Sequence, residues 1–360
     1  MNEKEVIICG LAPQGLFLLR EFAKSNYLVH AISLYKSPGY YSKYGKKYLA
    51  NSYPETVDIL KNLHSKLPKT TKCIVPSGRL LTYFIREFPD IYNYFDVEST
   101  PFESIEIFID KNKTYKHAAD LDIKYPRVFN LNEITNDDFP IFVKKRNEIK
   151  FSDESFKTKI IYSQQEINSL LKNFSVFERQ FLVFQEYIPN ALNVSFLGYF
   201  RKGNLIGFLV VQQIRQYPKG ITSCVVEFND KRKNLIKEKS ELIIGSYPYT
   251  GFAEVEFKIT KENLIYLIEV NPRICGWGKA FKYKFLNFRD FIDQFIEVDN
   301  FTLIENKKPV AWLNLLRDLI AIFNSKKIKR LNKIFSTHYD LFEVNDLKPF
   351  LMQIVNKLKS

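Results

Sequence analysis

Residues 251–259 alternate strictly between side chains of two kinds, and such a pattern is hard to satisfy except as a β-strand with two different faces. Ala253, Val255, Phe257 and Ile259 fall on one face; Glu254, Glu256 and Lys258 fall on the other. A second strand follows over 264–271. A hairpin closed by Glu262 and Asn263 as a two-residue loop sets Glu256 opposite Glu269, and Glu254 opposite Asn271. Carboxylates opposed across a strand pair repel and weaken a sheet unless positive charge lies between them. Two acids with an amide oxygen are hard ligands of the kind Mg²⁺ takes while keeping waters and phosphate oxygens. Glu256, Glu269 and Asn271 are therefore candidate metal ligands. Arg273 follows where a guanidinium can clamp a transferring phosphoryl group. A solvated hairpin whose acids face only water is the alternative.

The rest of the chain supplies the frame. Residues 6–10 read as a short apolar strand, 16–23 as an apolar helix and 28–33 as a second strand, so the opening is a βα unit of a small doubly wound lobe. Its turn, Gly10 to Gly15, is GxxxxG rather than GxGxxG, and strand two ends in Ile32-Ser33-Leu34 without a ribose-binding acid, which argues against a dinucleotide fold. Further strands are predicted over 73–76, 141–145 and 181–187, helices over 111–119, 165–173 and 233–244, and a hairpin at 201–204. No glycine occurs between Gly78 and Gly198. The last sixty residues are helical in pattern.

Composition excludes several chemistries. Cysteines 9, 73, 224 and 275 and histidines 30, 64, 117 and 338 are scattered, with no zinc spacing and no Cys/His pair. The net charge of +13 comes mainly from 40 lysines among 53 basic residues, spread along the chain rather than gathered with aromatics. A solvated surface is expected, with no nucleic-acid partner. The densest basic run predicts an amphipathic helix at 326–335 with a potential membrane-surface contact. The N-terminus has neither signal-peptide nor membrane-helix character, and the expected compartment is the cytoplasm.

Glu256, followed thirteen residues later by Glu269-Val270-Asn271-Pro272-Arg273, resembles the signature of the ATP-grasp superfamily, in which two acids and an asparagine hold magnesium ions. Pro140-Ile141-Phe142-Val143-Lys144 is similar to the family strand whose lysine contacts ATP, and Asp110-Lys111 to an earlier nucleotide-contacting lysine. Gln185-Glu186-Tyr187-Ile188-Pro189 resembles the hinge that meets the adenine edge, with Asn193 in the ribose position. The resemblance implies an α/β (α+β) architecture: a Rossmann-like pre-ATP-grasp lobe at 1–100, an ATP-grasp domain at 101–300 and a helical C-terminal extension at 301–360. Within the ATP-grasp domain the small lobe spans about 125–190 and the β-rich lobe 191–300. It also implies ATP and two Mg²⁺ ions as cofactors.

Residues 214–218 and 312–318 are similar to strings in bacterial carboxylate–amine ligases of cell-surface polysaccharide pathways, within the carbamoyl-phosphate-synthase-like module, and make Arg215 a second candidate clamp. The implied reaction joins a carboxylate to an amine through an acyl phosphate. Its candidate partners are small-molecule acids and amines, a nucleotide- or lipid-linked sugar, and a second copy of the chain. A phosphotransferase or a non-catalytic ATP-binding protein on the same fold stays open. One departure stands out. Where the family has a glycine-rich phosphate-covering loop, residues 144–153 have none; either Lys145, Arg146 or Lys150 replace its backbone donors, or the lid is looser and closes only with substrate.

Overall fold

The computed structural model describes residues 4–145, 158–218, 220–295, 301–324 and 338–359. The phosphate-covering segment from 146 onward and the basic helix at 326–335 lie outside these residues.

Strands β1 (Glu5–Cys9), β2 (Leu28–Leu34), β3 (Lys46–Ala50), β4 (Lys72–Ile74) and β5 (Asp96–Val97) form a parallel sheet in the order β3-β2-β1-β4-β5. The near-continuous apolar character of β1 suits burial on both faces, the usual state of a parallel strand. Pro13 opens the helix Pro13–Lys24, where a missing N–H costs nothing. The strand order reverses between β1 and β4. At such a point the loops leaving the two strands diverge and leave a crevice at their carboxyl ends.

A four-stranded antiparallel sheet follows, ordered β6-β9-β7-β8, from β6 (Val128–Phe129), β7 (Ile141–Lys145), β8 (Thr158–Ile161) and β9 (Leu182–Glu186). It has its own core, including Ile141, Val143, Ile161, Ile167 and Phe184, separate from the other clusters.

The largest sheet runs β14-β13-β10-β11-β12-β15-β16. Its strands are β10 (Leu192–Arg201), β11 (Asn204–Gln216), β12 (Thr222–Glu227), β13 (Gly251–Ile259), β14 (Ile265–Asn271), β15 (Ala311–Leu313) and β16 (His338–Tyr339). The β10–β11 hairpin turns through Lys202 and Gly203, both at positive φ, as a tight two-residue turn requires. Ala253, Val255, Phe257 and Ile259 enter the core shared with the first lobe, as their alternation predicts.

The C-terminal sixty residues depart from the all-helical expectation, because β15 and β16 extend the large sheet. The chain end also returns to the first lobe. Arg20, 1% exposed, reaches Asp346 Oδ2 at 2.8 Å and the carbonyls of Leu341 and Asp346. Among the described residues, no helix is long and apolar enough to cross a membrane.

Candidate functional site

Glu256 pairs with Glu269 and Glu254 with Asn271 across β13 and β14, the register the alternation predicts. The turn is different. The strands end at Ile259 and Ile265, leaving five connecting residues instead of two, with Asn263 at φ 63° and the Thr260 N–H donating to the Leu264 carbonyl. The longer turn alone would shift the pairing by one. A bulge between Glu256 and Phe257 compensates by leaving Ile268 without an opposite residue.

The carbonyl of Ile268 then serves another lobe. It lies 2.8 Å from the Tyr115 hydroxyl and 3.3 Å from Lys144 Nζ. Lys144 also donates to Tyr115 Oη at 2.9 Å, and Tyr115 sits 3.3 Å from Gln185 Oε1. Lys144 is only 4% exposed. Burial pushes its ammonium down to a pKa of about 8, opposed by the negative charge of Glu269 and Glu256. Lys111 Nζ stands 3.7 Å from Glu269 Oε2. Its neighbour Asp110 caps the helix Lys111–Asp120 by accepting from the N–H groups of Asn112 and Lys113. Tyr115 was not a sequence candidate. The available signal is its position one turn after Lys111, on the same helix face.

Glu254 and Trp277 fix the other end. Glu254, 5% exposed, accepts from Trp277 Nε1 at 2.8 Å and from Asn271 Nδ2 at 3.2 Å. Burial raises its pKa, with Arg273 opposing. Asn271 Nδ2 also lies 3.2 Å from Glu269 Oε1, while its Oδ1 faces Arg273 at 3.4 Å. Arg273 packs against Gly78, where a Cβ would come within 2.8 Å of its Nε. Gly78 begins the helix Gly78–Glu87, directly after β4, at the point where the first lobe's strand order reverses. Three sheets thus converge on one place.

A cavity of about 300 Å³ occupies it, and its lining includes Lys111, Lys144, Lys145, Glu269, Asn271 and Arg273. Gln14, Ser77, Arg79, Thr82 and Arg86 line it from the first lobe. Glu256, Gln185, Glu186, Ile188 and Asn193 are not among its lining residues. They connect to it along β13: Asn193 pairs with Lys258 and Ser195 with Glu256, while Lys258 Nζ donates to the Ile188 carbonyl at 3.2 Å. Glu186 Oε2 accepts from the Arg127 N–H, and Gln185 is held by Tyr115. Gln185 thus lies one hydroxyl away from Lys144 on the cavity wall, whereas Ile188 and Asn193 meet Lys258, two residues beyond Glu256 on β13.

Arg215 does not join this cluster. Both arms of its guanidinium go to Asp318, Nε to Oδ1 and Nη2 to Oδ2, each at 2.7 Å, and Ser223 Oγ donates to the same carboxylate. The pair is a buried bidentate fork, which ties 214–218 to 312–318 and leaves the cavity to Arg273.

Among the described residues, no three His, Cys, Asp or Glu side chains form an all-protein metal cage. Mg²⁺ does not require one, since it is commonly held by one or two carboxylates with waters and substrate phosphates. The paired Glu256 and Glu269 fit that pattern, and the Asn271 amide beside them needs only a half-turn to present Oδ1 in place of Nδ2. The cationic lining suits phosphate oxygens.

No family model matches this sequence, and no curated protein matches it either. Solved structures do. An N5-carboxyaminoimidazole synthetase from Staphylococcus aureus is 16% identical, with a TM-score of 0.67 over 91% of this chain and 86% of its own. The biotin carboxylase domain of the 2-oxoglutarate carboxylase from Hydrogenobacter thermophilus is 13% identical, with a TM-score of 0.70 over 86% and 73%. An L-amino acid ligase from Bacillus licheniformis is 14% identical, with a TM-score of 0.62 over 84% and 75%. The chain therefore shares the fold of these three enzymes over most of its length.

Proposed function

We propose that the chain is a Mg-ATP-dependent carboxylate–amine ligase that works through an acyl phosphate. The observation that carries this reading is one cavity lined jointly by Lys111, Lys144, Glu269, Asn271 and Arg273 and open to the first lobe. Nucleotide base and ribose would lie toward Gln185, Glu186, Ile188 and Asn193, with the phosphates toward Lys144 and Lys111. Glu256, Glu269 and Asn271 would hold two Mg²⁺ ions, which neutralise phosphate charge when bound. A carboxylate oxygen attacks the γ-phosphorus and the bond to ADP breaks. Arg273, braced on Gly78, is placed to neutralise the equatorial oxygens as charge develops. An amine nitrogen then attacks the acyl carbon, loses a proton and expels phosphate with that carboxylate oxygen. Lys144 and Tyr115 hold the Ile268 carbonyl and thereby keep Glu269 in register. No covalent enzyme intermediate is required.

Similar solved structures support the reading without deciding the substrate: one holds ADP with 5-aminoimidazole ribonucleotide, another MgADP with bicarbonate. A saccharide or amino-acid precursor as the acid, and cytoplasmic residence, belong to the same proposal. Acid-dependent ADP release, with hydroxylamine as the trapping amine and a panel of amino acids and uronic acids, tests it. Equimolar ADP and hydroxamate are expected, falling at least about a hundredfold in Glu269→Gln. Mg-ATP binding with no hydroxamate from any acid would favour a phosphotransferase or a nucleotide-sensing role instead.

A further inference from the structure

Six cationic side chains line the cavity among the described residues, against the single carboxylate of Glu269: Arg79, Arg86, Lys111, Lys144, Lys145 and Arg273. Lys111, Lys144 and Lys145 surround the Glu269 end, where the nucleotide reading places phosphates. Arg79 and Arg86 do not belong to that group. They come from the first lobe, on the helix Gly78–Glu87, and both are exposed while lining the cavity. With Thr82 between them, they stand at positions i, i+3 and i+7 of one helix, so the three share a face. At a rise of about 1.5 Å per residue that stripe is roughly 10 Å long. It starts beside Gly78, on which Arg273 packs, and runs away from the transfer point. Phe108 and Ile109 give the same cavity an apolar wall.

Resting on the ligase reading above, we infer that the acid substrate is small and carries a second anionic group, bound by Arg79 and Arg86 while its reacting carboxylate lies at Arg273. Standing seven residues apart along one helix face of the same cavity, the two guanidinium forks suit a second carboxylate or a phosphate equally. A short aliphatic body between the two anions would lie along Phe108 and Ile109. The stripe assigns the anion to the acid rather than to the amine, because it begins beside Arg273, where the acid would take up the phosphoryl group.

The test is hydroxylamine-trapped ADP release with matched acids: butyrate, valerate and caproate against succinate, glutarate and adipate, and against phosphorylated acids of similar length. A preference of at least tenfold in kcat/KM for acids with a second anion is expected, and the carboxylate and phosphate arms identify which anion it is. Arg86→Gln and Arg79→Gln should each lower that preference at least tenfold, and Arg86→Lys should restore part of it. Equal or better turnover of the mono-anionic acids, or an unchanged preference in both glutamine variants, overturns the inference and leaves the ligase reading standing. No ADP release with any acid while Mg-ATP still binds overturns the ligase reading, and this inference with it.

Discussion

Lys144 gives the sharpest quantitative expectation. Its ammonium is buried against Tyr115 and the Ile268 carbonyl, and its pKa falls from 10.5 to about 8. Folding therefore penalises the charged form. The penalty is complete below about pH 8, shrinks as pH rises toward 10.5 and vanishes above it, with an upper size of about 3 kcal/mol. A phosphate arriving beside Lys144 reverses the balance, because an anion favours the charged ammonium. If binding restores the ordinary value, the protonated fraction of free enzyme falls from about nine-tenths at pH 7 to one-tenth at pH 9, and Mg-ATP affinity falls about tenfold with it. Near pH 8, binding should take up about half a proton. Titration calorimetry in buffers of different ionisation enthalpy reads that uptake directly. Lys144→Met should abolish it and weaken binding, yet leave Tm at pH 7 no lower than in the parent chain, since Tyr115 still serves Ile268. Absence of proton uptake in the parent, or equal uptake in Lys144→Met, would refute the reasoning.

Three further perturbations probe the frame around the site. Gly78→Ala places a methyl group against the flexible guanidinium of Arg273, so kcat should drop by up to about a hundredfold while Tm moves little; unchanged kcat would mean that Arg273 is not braced there. Trp277→Phe removes the indole donor to the buried Glu254, and chemical denaturation should show a loss of about 1–3 kcal/mol. Asp318→Asn leaves the fork of Arg215 without its anion and should destabilise by about 3 kcal/mol, with much of the loss recovered in the double variant Arg215→Met, Asp318→Leu. A double variant that folds well yet loses all ligation would instead return Arg215 to the chemistry.

The parts of the site that were legible in the sequence are those written by local period. Alternation in 251–259 fixed which acids share a face, and the Glu256–Glu269 pairing followed. It did so through a compensation no local rule supplies, since a longer turn and a bulge cancel. That bulge is held by Tyr115 and Lys144, more than a hundred residues from Ile268. Arg215 follows the same logic. Its partner Asp318 lies 103 residues away, and an arginine at a strand end looks identical whether its fork meets substrate or a buried acid. Strands β15 and β16 are three and two residues long, too short to carry a period, and exist because the large sheet offers an edge. Arg79 and Arg86 reach the cavity only because the first lobe's strand order reverses beside them.

The most direct test of acyl-phosphate chemistry follows one oxygen. With the best acid of the panel labelled with ¹⁸O in its carboxylate, and hydroxylamine as the amine, each turnover should leave one labelled oxygen in the released phosphate, and the label should vanish with the activity in Glu269→Gln. Phosphate released without label, at a rate matching hydroxamate formation, would contradict transfer of the γ-phosphoryl group to the carboxylate.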